Sequence, residues 1–247
     1  MTERGLARSR SAAVALIRSG RVRVNDRVVE RSAATVSAAD AITVETDPYV
    51  SRAAHKLVGA LVDLAVDVTG LRALDAGAST GGFTQVLLQS GCREVIAVDV
   101  GHGQLAAEIR ADSRVVSHEH LNVRDLTVAH VDGRPVDLVV GDLSFISLTL
   151  VLPALSRVVS PDGTLLLMVK PQFEVGRERL GDGGVVRDPA LHVAAVTGVI
   201  EAAATLGWIA QALVPSRLPG PAGNREFFVL FGRAAMARPI DVTAGIA

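Results

Sequence analysis

Cysteine and long hydrophobic runs are the features that this sequence lacks most clearly. Among 247 residues there is a single cysteine, Cys92, so no disulfide can form within the chain, as is usual for proteins of the reducing cytoplasm. No stretch of about 18 or more uncharged apolar residues is present, which argues against a membrane-spanning helix. The first residues, Met-Thr-Glu-Arg-Gly, contain no apolar signal core. We therefore expect a cytoplasmic protein with no membrane partner.

Lysine is also nearly absent. The 25 basic residues include only two lysines, Lys56 and Lys170, and all the others are arginine. GC-rich coding often replaces surface lysine by arginine, so we expect the two remaining lysines to be ones that arginine cannot replace. Arginine stays protonated in proteins, whereas a partly buried lysine can release its proton and act as a base. The two lysines are therefore candidate catalytic residues.

The basic residues are unevenly distributed along the chain. The net charge is −1, yet residues 1–31 contain eight arginines against three acidic residues, and the remainder of the chain is acidic. A basic segment beside an acidic body is typical of an appendage that binds a polyanion. A solvated basic helix would give the same charge pattern, so charge alone leaves both interpretations open.

A glycine-rich stretch at residues 74–83 marks the predicted ligand site. It reads Leu-Asp-Ala-Gly-Ala-Ser-Thr-Gly-Gly-Phe and lies between an apolar run that predicts a strand and a pattern that predicts a helix. Glycines in such a turn let the backbone approach a ligand closely, and the free N–H groups of the helix start face that ligand. The spacing matches neither a dinucleotide-binding motif nor a P-loop. A glycine turn without a ligand is the alternative interpretation.

Acidic residues around this turn indicate which ligand to expect. Asp99 ends the next predicted strand, and an acidic residue about 20 positions after such a turn suits a ribose diol. Asp75 suits a ligand with a cationic end, and S-adenosyl-L-methionine carries both an amino group and a sulfonium. We therefore predict S-adenosyl-L-methionine as the cofactor. The predicted cofactor-binding residues are Asp75, Gly77, Ala78, Ser79, Gly81, Gly82, Phe83, Asp99, Val100 and, at the adenine, Asn122 or Asp125.

Strands and helices alternate along most of the chain, which predicts an α/β fold with a doubly wound, mostly parallel sheet. Ser9 or Ser11 is expected to cap the first helix, and Ser51 a helix over residues 52–64. The sequence also predicts a turn at 161–163, a mobile substrate loop at 176–187 and a final hairpin that pairs 208–215 with 226–231. No helix is predicted after that hairpin.

Ligands of such sheets bind outside the carboxyl ends of the strands. Asp142 and Lys170 each follow a predicted strand, and Lys56 and Glu226 come from flanking elements that can reach the same edge. Two lysines and two carboxylates together suit proton abstraction from a weakly acidic hydroxyl. A second lysine and partial burial disfavour the charged form of a lysine, whereas carboxylates favour it.

The N-terminal segment resembles the S4 RNA-binding domain in three stretches, residues 6–10, 16–20 and 22–25. The resemblance implies that arginines from a helix and a hairpin contact the phosphates and shape of structured RNA. Members of this family usually have another helical turn or two before Glu3, so we expect an incomplete unit or a native start upstream of Met1. The predicted RNA-binding residues are Arg8, Arg10, Arg18, Arg21 and Arg23.

The rest of the chain resembles the FtsJ-type 2′-O-ribose methyltransferases. That family uses a Lys-Asp-Lys-Glu tetrad, and the resemblance carries it to the catalytic candidates Lys56, Asp142, Lys170 and Glu226. Together with the S4-like unit and the stretches 142–147 and 169–174, this resemblance narrows to one family of such methyltransferases, the TlyA family, also called hemolysin A. This implies methylation of a cytidine 2′-OH in ribosomal RNA, within a ribosomal subunit, with Lys170 as general base. No protein partner is predicted.

The short N-terminus and the lack of a predicted final helix resemble the shorter TlyA subtype, which is linked to the large subunit alone. The expected fold class is α/β, a doubly wound Rossmann-like methyltransferase sheet with a small, N-terminally truncated S4-like α+β domain. The expected domains are an S4-like unit at 1–45, a linker at 46–51, a methyltransferase domain at 52–235 and a tail at 236–247.

Other activities fit the sequence less well. An amino-group methyltransferase would have an Asn/Asp-Pro-Pro-aromatic motif where this chain has Asp142 and no prolines. A base C5 methyltransferase needs a nucleophilic cysteine, and Cys92 lies in a predicted turn far from the site. His118 and His120 have no matching ligand cluster, so no metal is predicted. A non-catalytic S4-type RNA-binding or ribosome-associated factor is the alternative from another functional class.

Overall fold

One helix and a small antiparallel sheet form the N-terminal unit, Met1–Pro48. Helix α1 (Arg10–Arg18) is capped by Ser9, whose hydroxyl accepts a hydrogen bond from the Ala12 N–H, so Ser9 rather than Ser11 is the cap. The strands pair in the order β2-β1-β3, and the sequence predicted the first two but not the third: β1 (Val22–Val24), β2 (Arg27–Val28) and β3 (Ile42–Val44).

The structure is a computed structural model that describes residues 1–7, 9–45, 47–233 and 240–246. The predicted RNA-binding residue Arg8 lies outside the described residues. So do Thr46 of the predicted linker and part of the predicted tail, residues 236–239 and 247. The second unit comprises Tyr49–Ala247.

A seven-stranded sheet forms the centre of the second unit, with the strand order β6-β5-β4-β7-β8-β10-β9. The first five strands in this order are parallel, and β10 runs antiparallel to both of its neighbours, which confirms the predicted α/β class and the final hairpin. The strands are β4 (Arg72–Ala76), β5 (Glu94–Val98), β6 (Val115–His118), β7 (Val136–Gly141), β8 (Val159–Val169), β9 (Ile209–Pro215) and β10 (Phe227–Gly232).

Helices and short 3₁₀ turns connect these strands. The turns span Val123–Asp125, Val128–Val131, Arg177–Arg179 and Asp182–Gly184. The helices are α2 (Ala53–Asp63), α3 (Gly82–Gln89), α4 (Ala107–Arg110), α5 (Leu148–Val158), α6 (Pro171–Glu174), α7 (Pro189–Ala204) and α8 (Val242–Ile246).

Side chains alternate between the two faces of the sheet along each strand, and helices bury both faces. On β4, Ala73 belongs to one hydrophobic core with Leu57 of α2 and Leu87 of α3. The next residue, Leu74, belongs to the other core with Leu152 of α5, and α7 packs there as well. Helices pack on both faces of the paired strands, so the loops at the carboxyl edge have a rigid support.

Three local predictions were wrong. Ser51 does not cap α2, because the cap position is occupied by Arg52, which makes no side-chain cap hydrogen bond. The predicted turn at 161–163 is instead part of β8: between the pairs Val136–Val159 and Leu138–Thr164 the longer strand bulges, so pairing with β7 continues past the turn residues. A helix does follow the final hairpin, since α8 contacts α7 and β9 and buries Ile246.

None of the helices in the described ranges has both the length and the apolar character needed to span a membrane.

Candidate active site

A cavity of about 250 Å³ opens where β4, β7 and β8 end. Eight predicted site residues line it: Lys56, Gly77, Ala78, Ser79, Gly82, Phe83, Asp142 and Lys170. The other predicted residues of this unit lie outside its lining: Asp75, Gly81, Asp99, Val100, Asn122, Asp125 and Glu226. Six further residues line it that were not predicted as site residues: Ser51, Arg52, Ala53, Thr80, Ser144 and Pro221.

Lys170 lies at the end of β8, with its ammonium group held by the loop after β7. Its Nζ is 2.6 Å from the Asp142 Oδ1 and donates a hydrogen bond to the Ser144 Oγ at 2.8 Å. The Lys170 side chain is only 8% exposed. A buried lysine that faces a cavity with one carboxylate and one hydroxyl has a fixed direction, which proton transfer requires.

Lys56 and Glu226 form a second, deeper ion pair. The Lys56 Nζ is 2.5 Å from the Glu226 Oε2, and the two side chains are 6% and 1% exposed. The Gln172 side-chain amide donates to the other Glu226 oxygen at 3.3 Å. Glu226 lies behind Lys56, outside the cavity lining, so its contact with the cavity runs through the lysine. Removing one partner of such a pair typically costs about 3–5 kcal/mol because an unpaired charge stays buried.

The glycine turn after β4 brings the backbone close to these groups. Gly77 has φ +87°, and a Cβ there would lie 3.0 Å from the Asp142 carbonyl oxygen. A Cβ on Gly82, the first residue of α3, would lie 2.2 Å from the Ser51 Oγ. Both positions therefore need glycine, and the turn leaves a backbone-lined cradle at the start of α3.

Asp99 is fixed at the end of β5 by backbone donors. Its Oδ2 accepts a hydrogen bond from the Ser79 N–H at 2.8 Å, and its Oδ1 accepts one from the Gly101 N–H at 2.6 Å. The carboxylate thereby ties the glycine turn to the loop after β5. Beside it the Val100 side chain is 67% exposed.

The two predicted adenine contacts lie after β6. The Asn122 Oδ1 accepts a hydrogen bond from the Arg124 N–H and so caps a 3₁₀ turn, whereas Asp125 is exposed. No contact in the structure tests their predicted role, which stays a prediction.

Asp75 is buried behind the turn rather than exposed to the cavity. Its Oδ2 accepts a hydrogen bond from the Thr84 hydroxyl at 2.7 Å, and its Oδ1 has no partner among the described residues. Burial raises the pKa of Asp75 to about 7, against the lowering effect of the Thr84 hydrogen bond and with a further rise from the Asp142 charge. The side chain therefore fits a role within the protein better than direct ligand contact.

An exposed aromatic side chain stands beside the buried lysine. Phe145 is 92% exposed and has φ +64°, a left-handed conformation that is rare for a non-glycine residue. Its ring centroid is 5.3 Å from that of Phe173, and the Lys170 Nζ is 5.9 Å from the Phe173 ring. In the sequence, the stretch 142–147 stands out only by its family resemblance, so Ser144 and Phe145 were not predicted as site residues although both follow Asp142 closely.

Cys92 is a poor nucleophile in this structure. Its thiol is 1% exposed and donates a hydrogen bond to the Val68 carbonyl oxygen at 3.3 Å. Burial raises the pKa of Cys92 to about 11, so the reactive thiolate is disfavoured. This environment argues against covalent catalysis by this cysteine.

Comparison with known proteins identifies both units. A family model described as FtsJ-like methyltransferase matches residues 49–233, and the S4 domain model matches residues 1–42. The 16S/23S rRNA (cytidine-2′-O)-methyltransferase TlyA of Mycobacterium tuberculosis is 53% identical over 232 residues, which cover 93% of this chain and 86% of that protein.

Solved structures agree with this assignment. A candidate hemolysin from Streptococcus thermophilus superposes with a TM-score of 0.80 at 32% identity, over 98% of this chain and 91% of that one. An S-adenosylmethionine-dependent methyltransferase from Mesorhizobium loti superposes with a TM-score of 0.53 at 16% identity, over 72% of this chain and 98% of that one, and shares the fold alone.

Both units of the chain and the long match to one relative lead to the same family. The FtsJ-like methyltransferase model accounts for the second unit, and the S4 model accounts for the N-terminal unit. The chain belongs to the FtsJ-like methyltransferases, and within them to the TlyA family, in which an S4 domain precedes the methyltransferase domain.

Proposed function

We propose that the protein transfers a methyl group from S-adenosyl-L-methionine to the 2′-OH of a cytidine in ribosomal RNA. The observation that carries the proposal is the pairing of both lysines of the chain with carboxylates at one cavity, Lys170 with Asp142 and Lys56 with Glu226. The name of the M. tuberculosis relative supports the substrate, because that protein is an rRNA (cytidine-2′-O)-methyltransferase.

The residues around the glycine turn fit the proposed cofactor. Gly77 and Gly82 leave a cradle that a Cβ would fill, and Asp99 is fixed where it can accept hydrogen bonds from a ribose diol. The backbone at the start of α3 supplies further donors. When bound, S-adenosyl-L-methionine supplies an electrophilic methyl group on a sulfonium.

Lys170 acts as the general base in this proposal. Its neutral Nζ would accept the proton of the ribose 2′-OH and end the step as an ammonium, and the oxygen would take the methyl group that the cofactor supplies, whose bond to sulfur breaks and leaves S-adenosylhomocysteine. Asp142 and Ser144 hold the Nζ in place and stabilise the positive charge that it gains. Positioned general-base catalysis is typically worth about 10²–10⁴-fold in rate.

Lys56 supports the reaction through its charge. It faces the cavity with Glu226 behind it, so it can stabilise negative charge that develops on the ribose oxygen. Glu226 keeps the ammonium of Lys56 in one position. The role of Lys56 is therefore electrostatic, whereas that of Lys170 requires the loss of a proton.

Two surfaces suit the RNA. The exposed Phe145 ring beside Lys170 offers a stacking partner for an unstacked base, the mode by which proteins usually bind single nucleotides of RNA. On the N-terminal unit, Arg10, Arg18 and Arg23 are exposed and suit phosphate contacts. Arg21 is half-buried and donates to the Glu45 carbonyl oxygen, so its role is partly structural.

The test is methyl transfer from labelled cofactor to isolated ribosomal subunits. Nuclease digestion of the labelled RNA should release 2′-O-methylcytidine, and the same assay with the large and the small subunit separately identifies the substrate particle. The presence of α8 removes one reason to expect the large subunit alone. Label in a base, or RNA binding without any label, would contradict the proposal, and the second result would indicate a non-catalytic RNA-binding factor.

A further inference from the structure

Glu174 is a carboxylate near the cavity that the proposed reaction does not use. It ends the short helix α6, four residues after Lys170. Its Oε1 accepts a hydrogen bond from the Leu148 N–H at 2.9 Å, and its Oε2 accepts one from the Ser147 hydroxyl at 2.5 Å. The donors are the N-cap residue and the first residue of α5, and a negative charge is favourable at this end of a helix. Burial raises the pKa of Glu174, so its ionised form depends on these two donors.

The contact is one of three between the same two segments. The first segment, the β7 loop, comprises residues 142–147, and the second comprises residues 170–174. Lys170 contacts Asp142 and Ser144, the Phe173 ring packs against Phe145, and Glu174 closes the series at the start of α5. Contacts of this kind, in parallel order along both segments, fix one segment against the other.

The β7 loop needs such a restraint. Phe145 keeps a left-handed backbone conformation, which typically costs about 1–3 kcal/mol and persists only where the surrounding structure holds it. Six residues must pass from β7 to α5 while Asp142 and Ser144 stay against Lys170. If the loop were released from α6, these two groups would lose their fixed distance to the lysine.

We propose that Glu174 is a positioning residue for methyl transfer. It locks the β7 loop to α6 and thereby keeps Asp142 and Ser144 on the Lys170 Nζ. It does not line the cavity, so it acts through these residues and not on the substrate. The inference rests on the proposed role of Lys170 as the base.

The experiment compares Glu174→Ala with Glu174→Gln in single-turnover methylation of the ribosomal substrate by the full-length protein. Glutamine can still accept from the Leu148 N–H and can donate to the Ser147 hydroxyl, whereas alanine can do neither. Because a displacement of about 1 Å can cost roughly 10²-fold in rate, the alanine variant should lose about 10- to 100-fold in maximal rate. Its cofactor and RNA affinities should stay within about threefold, and glutamine should restore most of the rate.

A matched control lies on α5, the helix whose start Glu174 contacts. Ser156→Ala removes the acceptor of the Trp208 indole N–H at the far end of α5, and it should keep the normal rate. Ser147→Ala removes one of the two hydrogen bonds to Glu174, together with the cap that the Ser147 hydroxyl provides for the Thr149 N–H, and should give an intermediate rate, which keeps the inference testable if Glu174→Ala does not fold.

The outcomes separate the two proposals when Lys170→Arg is assayed alongside. If Lys170→Arg is inactive while Glu174→Ala has the normal maximal rate, the positioning role is wrong and the proposed reaction stands. A glutamine variant as slow as the alanine variant would also overturn the positioning role, since the charge rather than the hydrogen bonds would then matter. If Lys170→Arg keeps its rate, the proposed reaction is wrong and the positioning role falls with it.

Discussion

At the residue scale, Asp75 combines complete burial with a carboxylate oxygen that has no partner among the described residues. Its pKa of about 7 lies above the ordinary value of 3.8, because burial disfavours its charged form. The folded protein therefore binds a proton more tightly at this group than the unfolded chain does. The associated stability is fully present below about pH 4 and is lost as the pH rises to about 7.

Asp75→Asn should remove this dependence on pH. The mutant should gain stability relative to the wild type as the pH rises from about 4 to 7, by up to about 1.4 kcal/mol per pH unit, and the difference should level off above pH 7. Urea unfolding of both proteins at several pH values measures it. Thr84 can donate to the asparagine oxygen, so its hydrogen bond survives the change. A stability difference that is constant between pH 4 and pH 8 would show that Asp75 is not the group responsible.

At the scale of elements, the strand ends were predictable and the contacts between loops were not. Asp99, Asp142 and Lys170 follow β5, β7 and β8 as the apolar runs before them predict, because buried parallel strands have a strong sequence pattern. Their chemical roles stay predictions. Ser144 and Glu174 escaped notice because their partners are 26 residues away in the sequence and become neighbours only through the sheet.

Local signals failed where pairing or packing decided the outcome. Pro161 and Gly163 form a bulge inside β8, since hydrogen bonds to β7 on both sides outweigh their preference for a turn. Helix α8 has only five residues, and although the Asp241 carboxylate accepts a hydrogen bond from the Ala244 N–H at its start, packing of Ile246 into the core is what defines it. Ser51 has the residue type of a helix cap, but the close approach of Gly82 to its hydroxyl shows that it packs against the glycine turn.

The glycine turn gives a prediction at this scale. In Gly77→Ala the new Cβ meets the Asp142 carbonyl oxygen and the backbone keeps an unfavourable φ, so the protein should lose about 1–2 kcal/mol of stability. Cofactor affinity should fall as well, because β4 and the β7 loop are forced apart. Thermal unfolding and titration calorimetry measure the two effects.

Gly198→Ala is the control: it lies within α7 with open space at its Cβ and should raise stability slightly, by up to about 1 kcal/mol. If Gly77→Ala binds the cofactor as tightly as the wild type does, the glycine turn is not the cofactor site.

At the scale of the whole molecule, charge and chemistry are divided between the two units. The N-terminal unit carries the excess of arginine, and the methyltransferase unit carries both lysines and the cavity. The charge pattern alone predicted an appendage that binds a polyanion, and the S4 match agrees with it. The sequence could not tell which arginines are engaged within their own unit: the Arg21 Nε bonds a backbone oxygen and Arg23 donates to the Asp26 carbonyl oxygen.

Replacing Arg10 and Arg18 by glutamine should weaken RNA binding without affecting the cofactor. Each lost phosphate contact should reduce the slope of log affinity against log salt by about 0.7–0.9. Filter binding of ribosomal RNA over a range of salt concentrations measures the slope, and calorimetry should show unchanged cofactor affinity. Arg93→Gln serves as the control, since Arg93 belongs to the methyltransferase unit and pairs with Asp137 at the amino ends of β5 and β7. Unchanged affinity and slope in the double variant would remove these arginines from the RNA interface.

The central claim is that Lys170 accepts the proton of the ribose 2′-OH, and single-turnover methylation by Lys170→Arg tests it most directly. Arginine keeps the charge next to Asp142 but cannot release a proton near neutral pH. With cofactor and RNA both saturating, the mutant should be slower by at least about 10²-fold. Lys56→Arg, which keeps the charge facing Glu226, should be less impaired. A Lys170→Arg enzyme within a few-fold of the wild-type rate would contradict the claim and leave the two ion pairs as a clamp for cofactor or RNA.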